Sequence, residues 1–150
     1  MIVYRFCSPK YAADITGTGA RLKGGRWNPP GVAVVYSSAH ISLALLEVLA
    51  NACTLEELEI IQLVEIEVPD DSVYEIKASQ LKKEWWEDFA YTQWMGEQIL
   101  RENSSLLIKC PSAVVDKEDN YLINPSHSLY SKVKIRTSGD FRFDERLFKQ

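Results

Sequence analysis

The alternation of apolar and polar positions divides the chain into strand-like and helix-like stretches. IVYRF (2–6) reads as a first strand. VAVVYSS (32–38) is a continuous β-rich run, the pattern of a buried strand, and it feeds AHISLALLEVLANA (39–52), apolar almost all round as a buried helix is. IIQLVEIEV (60–68) sets Ile61, Leu63, Ile66 and Val68 imperfectly against polar partners and closes at Pro69, predicting a third strand; SVYEI (72–76) predicts a short fourth. From 79 to about 101, Leu81, Trp85, Phe89 and Ile99 fall near helical spacing, predicting one amphipathic helix that ENSS stops. LLIKC, SAVV, NYLI and KVKIRT then predict short strands between Pro, Asp and Asn signals. Strands at both ends with helices between them give an α+β class in a single domain.

The stretch DITGTGARLKGGRWNPPG (14–31) breaks both periods and predicts a long loop. Loops beyond about 12–15 residues in compact domains are usually functional or disordered. With Leu22 and Trp27 to anchor it, this one reads as functional. Within it, GGRWNPPG (24–31) places Arg26 and Trp27 among turn-forming residues that need neither, so the pair either braces the fold or walls a site.

Composition narrows the chemistry. A chain of 150 residues is long enough for one core without a metal or disulfide. A net charge of −4 argues against a surface built to hold nucleic-acid phosphates, although one local basic cleft for a small anion is compatible with it. Cys7, Cys53 and Cys110 are odd in number and unclustered; with no signal peptide and no membrane-length apolar run, they predict a cytoplasmic chain with reduced thiols. The basic residues Arg21, Lys23 and Arg26 sit in a glycine-rich context, but neither phosphate motif is met. Gly19 is followed after four residues by Gly24-Gly25 rather than Gly-Lys, and Leu22 stands where a dinucleotide fingerprint needs a third glycine. His40, His127 and the cysteines show no metal-ligand spacing, so no metal is expected.

Glu47 is the more informative position. Its neighbours one turn away are Leu43, Ala44, Ala50 and Asn51, so a carboxylate projects from a mainly apolar stripe. A buried carboxylate needs a cation, a set of donors or a cleft. A structural pair with Arg26 and a catalytic carboxylate are equally consistent with the helix pattern. Tyr36 ends the strand before that helix, and Ser37 and Ser38 stand where its N-cap belongs. Trp85, Trp86 and Trp94 read as core or partner-facing surface, and CPSAVVDKEDNYLINP places Ser112 and Asn124 in turn chemistry with or without function.

In order and spacing, GGRWN (24–28), VVYSS (34–38), LALLEVL (43–49), PSAVV (111–115) and NYLINP (120–125) together resemble the RES-domain family, from about Tyr4 to Arg136. The resemblance implies an ADP-ribosyltransferase-like split β-sheet with flanking helices. It also implies the toxin of a bacterial toxin-antitoxin pair, masked by an Xre-like antitoxin. Such toxins degrade NAD+ by hydrolysis or phosphorolysis, and some are ADP-ribosyltransferases acting on a protein; NAD+ is then a substrate, with no separate cofactor. Carried over, the family arginine, tyrosine, glutamate and serine fall on Arg26, Tyr36, Glu47 and Ser112 as catalytic residues. Arg21, Gly25, Trp27, Asn28, Ser37 and Asn124 are expected to contact the substrate, Trp27 chiefly as the anchor beneath the loop. This chain has NPSHS where relatives often have Asn-Pro-x-His-Pro, which leaves the role of His127 open. Rival readings are a module that binds a nucleotide without turning it over, and a nucleic-acid-acting toxin, against which the net charge weighs. The exposed face of the Trp-rich helix is expected to meet an antitoxin or a second copy.

Overall fold

A computed structural model describes residues 1–51, 55–59 and 61–147. Seven strands form one mixed sheet: β1 (Ile2–Cys7), β2 (Val35–Ser38), β3 (Gln62–Glu67), β4 (Val73–Glu75), β5 (Leu107–Pro111), β6 (Asp119–Ile123) and β7 (Lys134–Asp140). Their order is β4-β5-β6-β2-β1-β3-β7, with only the β4/β5 pair parallel. β1 runs beside β3 over six paired residues, yet meets β2 at the single pair Tyr4↔Ser38. The sheet is thus split into two halves joined at one point, the α+β class expected from the strand and helix pattern and the ADP-ribosyltransferase-like arrangement implied by the family resemblance.

Strand periodicity sorts the core into two layers. Val3, Val35, Val64, Ile66, Leu107 and Ile123 pack on one face, and Val34, Ile108, Cys110 and Leu122 join Trp27, Trp85 and Leu100 on the other. Consecutive residues Leu107/Ile108 and Leu122/Ile123 therefore enter different layers, as a period of two requires. The helix α2 (Ile41–Asn51) lies against β1 and β2, and α4 (Phe89–Glu102) covers the second layer.

Several expectations need correction. The supposed loop contains a helix, α1 (Thr18–Lys23), started after Gly17 at φ 77° and ended by Gly24 at φ 75°, whose N–H reaches the Ala20 carbonyl at 2.7 Å. Left-handed backbone at both glycines makes these boundaries. Leu22 is exposed, and the segment is anchored by Trp27 and the buried Asn28 instead. The predicted helix 79–101 is broken: Glu84 adopts φ 59°, 3₁₀ turns occupy Ala78–Gln80 and Trp85–Glu87, and Asp88 starts α4 by accepting from the Tyr91 N–H at 3.0 Å. SAVV is a turn rather than a strand, and β2 is shorter than 32–38. α3 (Leu55–Glu59) follows α2. Cys53 lies outside the described residues.

Where α4 crosses the 24–31 segment, a Cβ on Gly96 would fall 1.7 Å from the Trp27 carbonyl oxygen. Only glycine permits this approach without backbone movement. Gly96→Ala is expected to lower stability by at least about 2 kcal/mol through overpacking; an unchanged urea midpoint would reject the contact.

Candidate functional site

Glu47, on α2, is held by two neutral donors from distant parts of the chain. Its Oε1 accepts from Ser112 Oγ at 2.7 Å and from Asn120 Nδ2 at 2.7 Å. Each donor is itself oriented. Ser112 Oγ accepts the N–H groups of Val114 and Val115, both at 3.0 Å, which leaves its hydroxyl proton for the carboxylate. Asn120 Oδ1 accepts from Ser38 Oγ at 2.6 Å, which fixes the amide so that its NH₂ faces Glu47. Both bonds fall on Oε1; the second carboxylate oxygen accepts no hydrogen bond among the described residues. Glu47 also has no ion pair there, so the buried pair with Arg26 is not formed. Dipoles lower the cost of removing the carboxylate from water while its charge stays uncompensated.

Arg26 stands on a loop whose interior is fully bonded. Asn28, buried, donates Nδ2 to the carbonyls of Ala20 at 2.9 Å and Val32 at 2.8 Å. Its Oδ1 accepts from the Tyr36 hydroxyl at 2.5 Å, and that hydroxyl accepts from the Trp27 N–H at 2.9 Å. Burial pushes the Tyr36 hydroxyl well above the usual phenol range, so it stays protonated and able to donate. One stripe of α4, residues 89, 93 and 96, braces the loop from outside. The Phe89 ring lies 5.1 Å from the Arg26 guanidinium carbon, Gln93 Nε2 donates to the Gly25 carbonyl at 2.9 Å, and Gly96 meets Trp27. Arg26 donates one bond, Nη1 to the Trp86 carbonyl at 3.0 Å, and enters no ion pair among the described residues. Its other donors are free for an anion.

Tyr36, Ser38 and Asn120 share one sheet face, because Tyr36 and Ser38 are two apart on β2 and Ser38 pairs with Asn120 on β6. Gly25 abuts Tyr36: a Cβ there would lie 2.6 Å from its hydroxyl oxygen. Tyr36 and Ser38 thus connect the Arg26 loop to Glu47 through successive contacts, and Arg26, Tyr36, Glu47 and Asn120 are each half-buried.

Trp27 is the anchor expected, and the other expected contacts are placed as follows. Trp27 is 2% exposed and packs on Trp85 with ring centroids 5.7 Å apart, and Asn28 is enclosed, so both are scaffold beneath the loop. Ser37 faces away from Tyr36 and donates to the Tyr121 carbonyl at 2.8 Å; it is a strand residue, and the Ala44 N–H is met by the His40 carbonyl instead of a serine cap. Asn124 is about 13 Å from Asn120 along the strand. It donates to the Leu100 carbonyl at 3.1 Å and to Asn103 Oδ1 at 2.9 Å, tying β6 to the end of α4. Arg21 is exposed on α1 without a side-chain partner among the described residues. His127 caps a 3₁₀ turn through Nδ1, which accepts from the Leu129 N–H at 3.1 Å. Burial pushes the thiols of Cys7 and Cys110 up, which disfavours the nucleophilic thiolate in both. Sequence reasoning missed Asn120, Ser38, Phe89 and Gln93. A polar residue opening the apolar run NYLI was the one signal for Asn120, and it acquires meaning only with the β2/β6 register.

The RES domain family profile matches residues 2–144. A protein named "Toxin Res" from Yersinia enterocolitica is 35% identical over 98% of this chain and 99% of its own length. A "Prs ADP-ribosylating toxin" from a Sphingobium species is 33% identical over 93% of this chain and 89% of its own. Among solved structures, the M. tuberculosis MbcT-MbcA toxin-antitoxin complex contains a chain that superposes with a TM-score of 0.77 at 22% identity, covering 93% of this chain and 83% of that one.

Tyr36→Phe removes a donor to Asn28 and an acceptor for Trp27 in one step. A loss of about 1–3 kcal/mol in chemical denaturation is expected; a loss under about 0.5 kcal/mol would mean that the loop does not depend on this hydroxyl.

Proposed function

The chain belongs to the RES domain family, and from that premise we propose that it is the toxin of a bacterial toxin-antitoxin pair and cleaves the nicotinamide-ribose bond of NAD+. The observation that carries this reading is Glu47: a carboxylate oriented through one oxygen and, among the described residues, unoccupied at the other, on the same sheet face as an arginine that has no ion pair among them.

Cleaving the bond between the anomeric carbon and the pyridinium nitrogen sends the electron pair to nicotinamide and leaves positive charge on the ribose. A carboxylate at about 4 Å and an effective dielectric near 20 stabilises such a charge by about 4 kcal/mol, a rate factor on the order of 10³. In this mechanism Glu47 Oε2 faces the developing cation while Ser112 and Asn120 keep Oε1 from rotating into its place. Arg26 binds the diphosphate with its free forked donors. Tyr36, its hydroxyl committed to the loop, presents ring surface between them. An acceptor then forms the new bond to the ribose carbon and gives up its proton. Water yields ADP-ribose, phosphate yields ADP-ribose 1″-phosphate, and a protein side chain yields a modified target, the course favoured by the name of the Sphingobium relative. An Xre-like antitoxin covering the Glu47 face is the partner expected of such a toxin. No helix among the described residues is long and apolar enough to cross a membrane.

Glu47→Gln keeps the shape and removes the charge. It is expected to slow NAD+ consumption about 10³-fold with the fold intact, and Asn120→Ala to slow it about 10–100-fold. Chromatography of NAD+ and mass spectrometry of products, with and without phosphate, check both; Glu47→Gln turning over at the wild-type rate would refute the assignment.

A further inference from the structure

We infer that the indole of Trp86, with Phe89 beside it, forms a stacking subsite for the purine base of the dinucleotide. The inference rests on the reading of Glu47 and Arg26 given above.

The argument is one of order along the site. Glu47 bonds to Asn120, Asn120 to Ser38, Tyr36 follows on the same face, and the Tyr36 hydroxyl holds the backbone beside Arg26. Arg26 in turn bonds to the carbonyl of Trp86 and rests on Phe89. A dinucleotide with its scissile carbon at Glu47 and its diphosphate at Arg26 has its adenosine half beyond Arg26, away from Glu47. The side chains at that end are Trp86 and Phe89, 49% and 47% exposed.

Trp86 is exposed but not loose. Its ring stands edge-on to Trp85, with centroids 6.0 Å apart at 81°, and Trp85 is buried against Trp27. The left-handed residue Glu84 turns the chain immediately before this pair, so that one tryptophan enters the core as its neighbour stays outside. An indole held at a steep angle against a buried neighbour and half-exposed keeps ring surface open to solvent. Stacking a base there orders little that is not already ordered. Trp94 offers a control: it is exposed, lies about 140° round α4 from Phe89, and lines a separate cavity of about 290 Å³ with Tyr74 and Met95.

Nicotinamide mononucleotide carries the same scissile bond without the adenosine half, so the pair of substrates isolates the subsite. Trp86→Ala is expected to raise KM for NAD+ about tenfold with kcat within about twofold, leaving nicotinamide mononucleotide kinetics unchanged. Trp86→Phe is expected to restore most of the loss, and Trp94→Ala to have no effect. An unchanged KM for NAD+ in Trp86→Ala, or an equal loss on both substrates, overturns the subsite and leaves the proposed activity standing. If the wild type cleaves neither substrate, that activity falls and calorimetry with ADP-ribose decides the subsite alone. About tenfold weaker binding by Trp86→Ala supports it; equal binding, or none by the wild type, overturns it.

Discussion

The hydrogen bonds that Ser112 and Asn120 donate to one oxygen of Glu47 tie together residues 65 and 73 positions apart in the chain. They join α2 to the turn after β5 and to the start of β6, next to the single pair that links the two halves of the sheet. A carboxylate on a mainly apolar helix stripe constrains everything near it, because withdrawing its charge from water costs several kcal/mol unless dipoles replace the water. Here the replacements are neutral. An arginine would have cancelled the charge, whereas a serine and an asparagine orient it and leave it available.

The same division between holding and presenting recurs across the face. Asn28, Trp27 and the Tyr36 hydroxyl spend their polar groups on one another, and through them the loop acquires a fixed backbone. Gly96 lets α4 press against that backbone, with Gln93 and Phe89 fastening it from the preceding two turns of the same helix stripe. What the loop presents is the guanidinium of Arg26, with one bond made and the rest unused. Rigid support beneath an unpaired charge is how a site limits the reorganisation needed when a ligand arrives.

The strand alternation and the presence of a helix within 39–52 were legible from local periodicity, but the helix is not the buried one expected. α2 buries Leu43 and Ala44 and leaves Leu46 42% exposed, because its apolar residues outnumber the positions that face the sheet. The break at Glu84 was not legible, since Leu81 and Trp85 keep helical spacing across a residue whose φ is 59°. Spacing also marked Glu47 as anomalous while leaving its partner open, and the partner turned out to be two neutral groups, one in the turn after β5 and one on β6, whose approach to α2 no local pattern encodes. Ser37 and Ser38 illustrate the limit: both looked like caps, and a single residue of strand register separates the one that orients Asn120 from the one that faces the other layer. Asn28 and Asn124, polar residues in turn-rich motifs, proved to be internal staples, because buried backbone carbonyls need donors wherever the chain turns.

Opposite charges placed on one face usually pair, and Arg26 and Glu47 do not. Each is pinned by its own neighbours, Arg26 to the Trp86 carbonyl and Phe89, Glu47 to Ser112 and Asn120, with Tyr36 and Ser38 between them. Neither side chain can relax toward the other without breaking bonds to uncharged partners. The face therefore keeps a fixed separation of charge, which a uniformly anionic or cationic ligand meets at only one end. In the proposed reaction a substrate with an anionic centre and, some ångströms away, a carbon that becomes cationic would match both ends, gaining at the carboxylate only as that positive charge develops. Differential gain of this kind accelerates a reaction, because binding both states equally would change affinity alone.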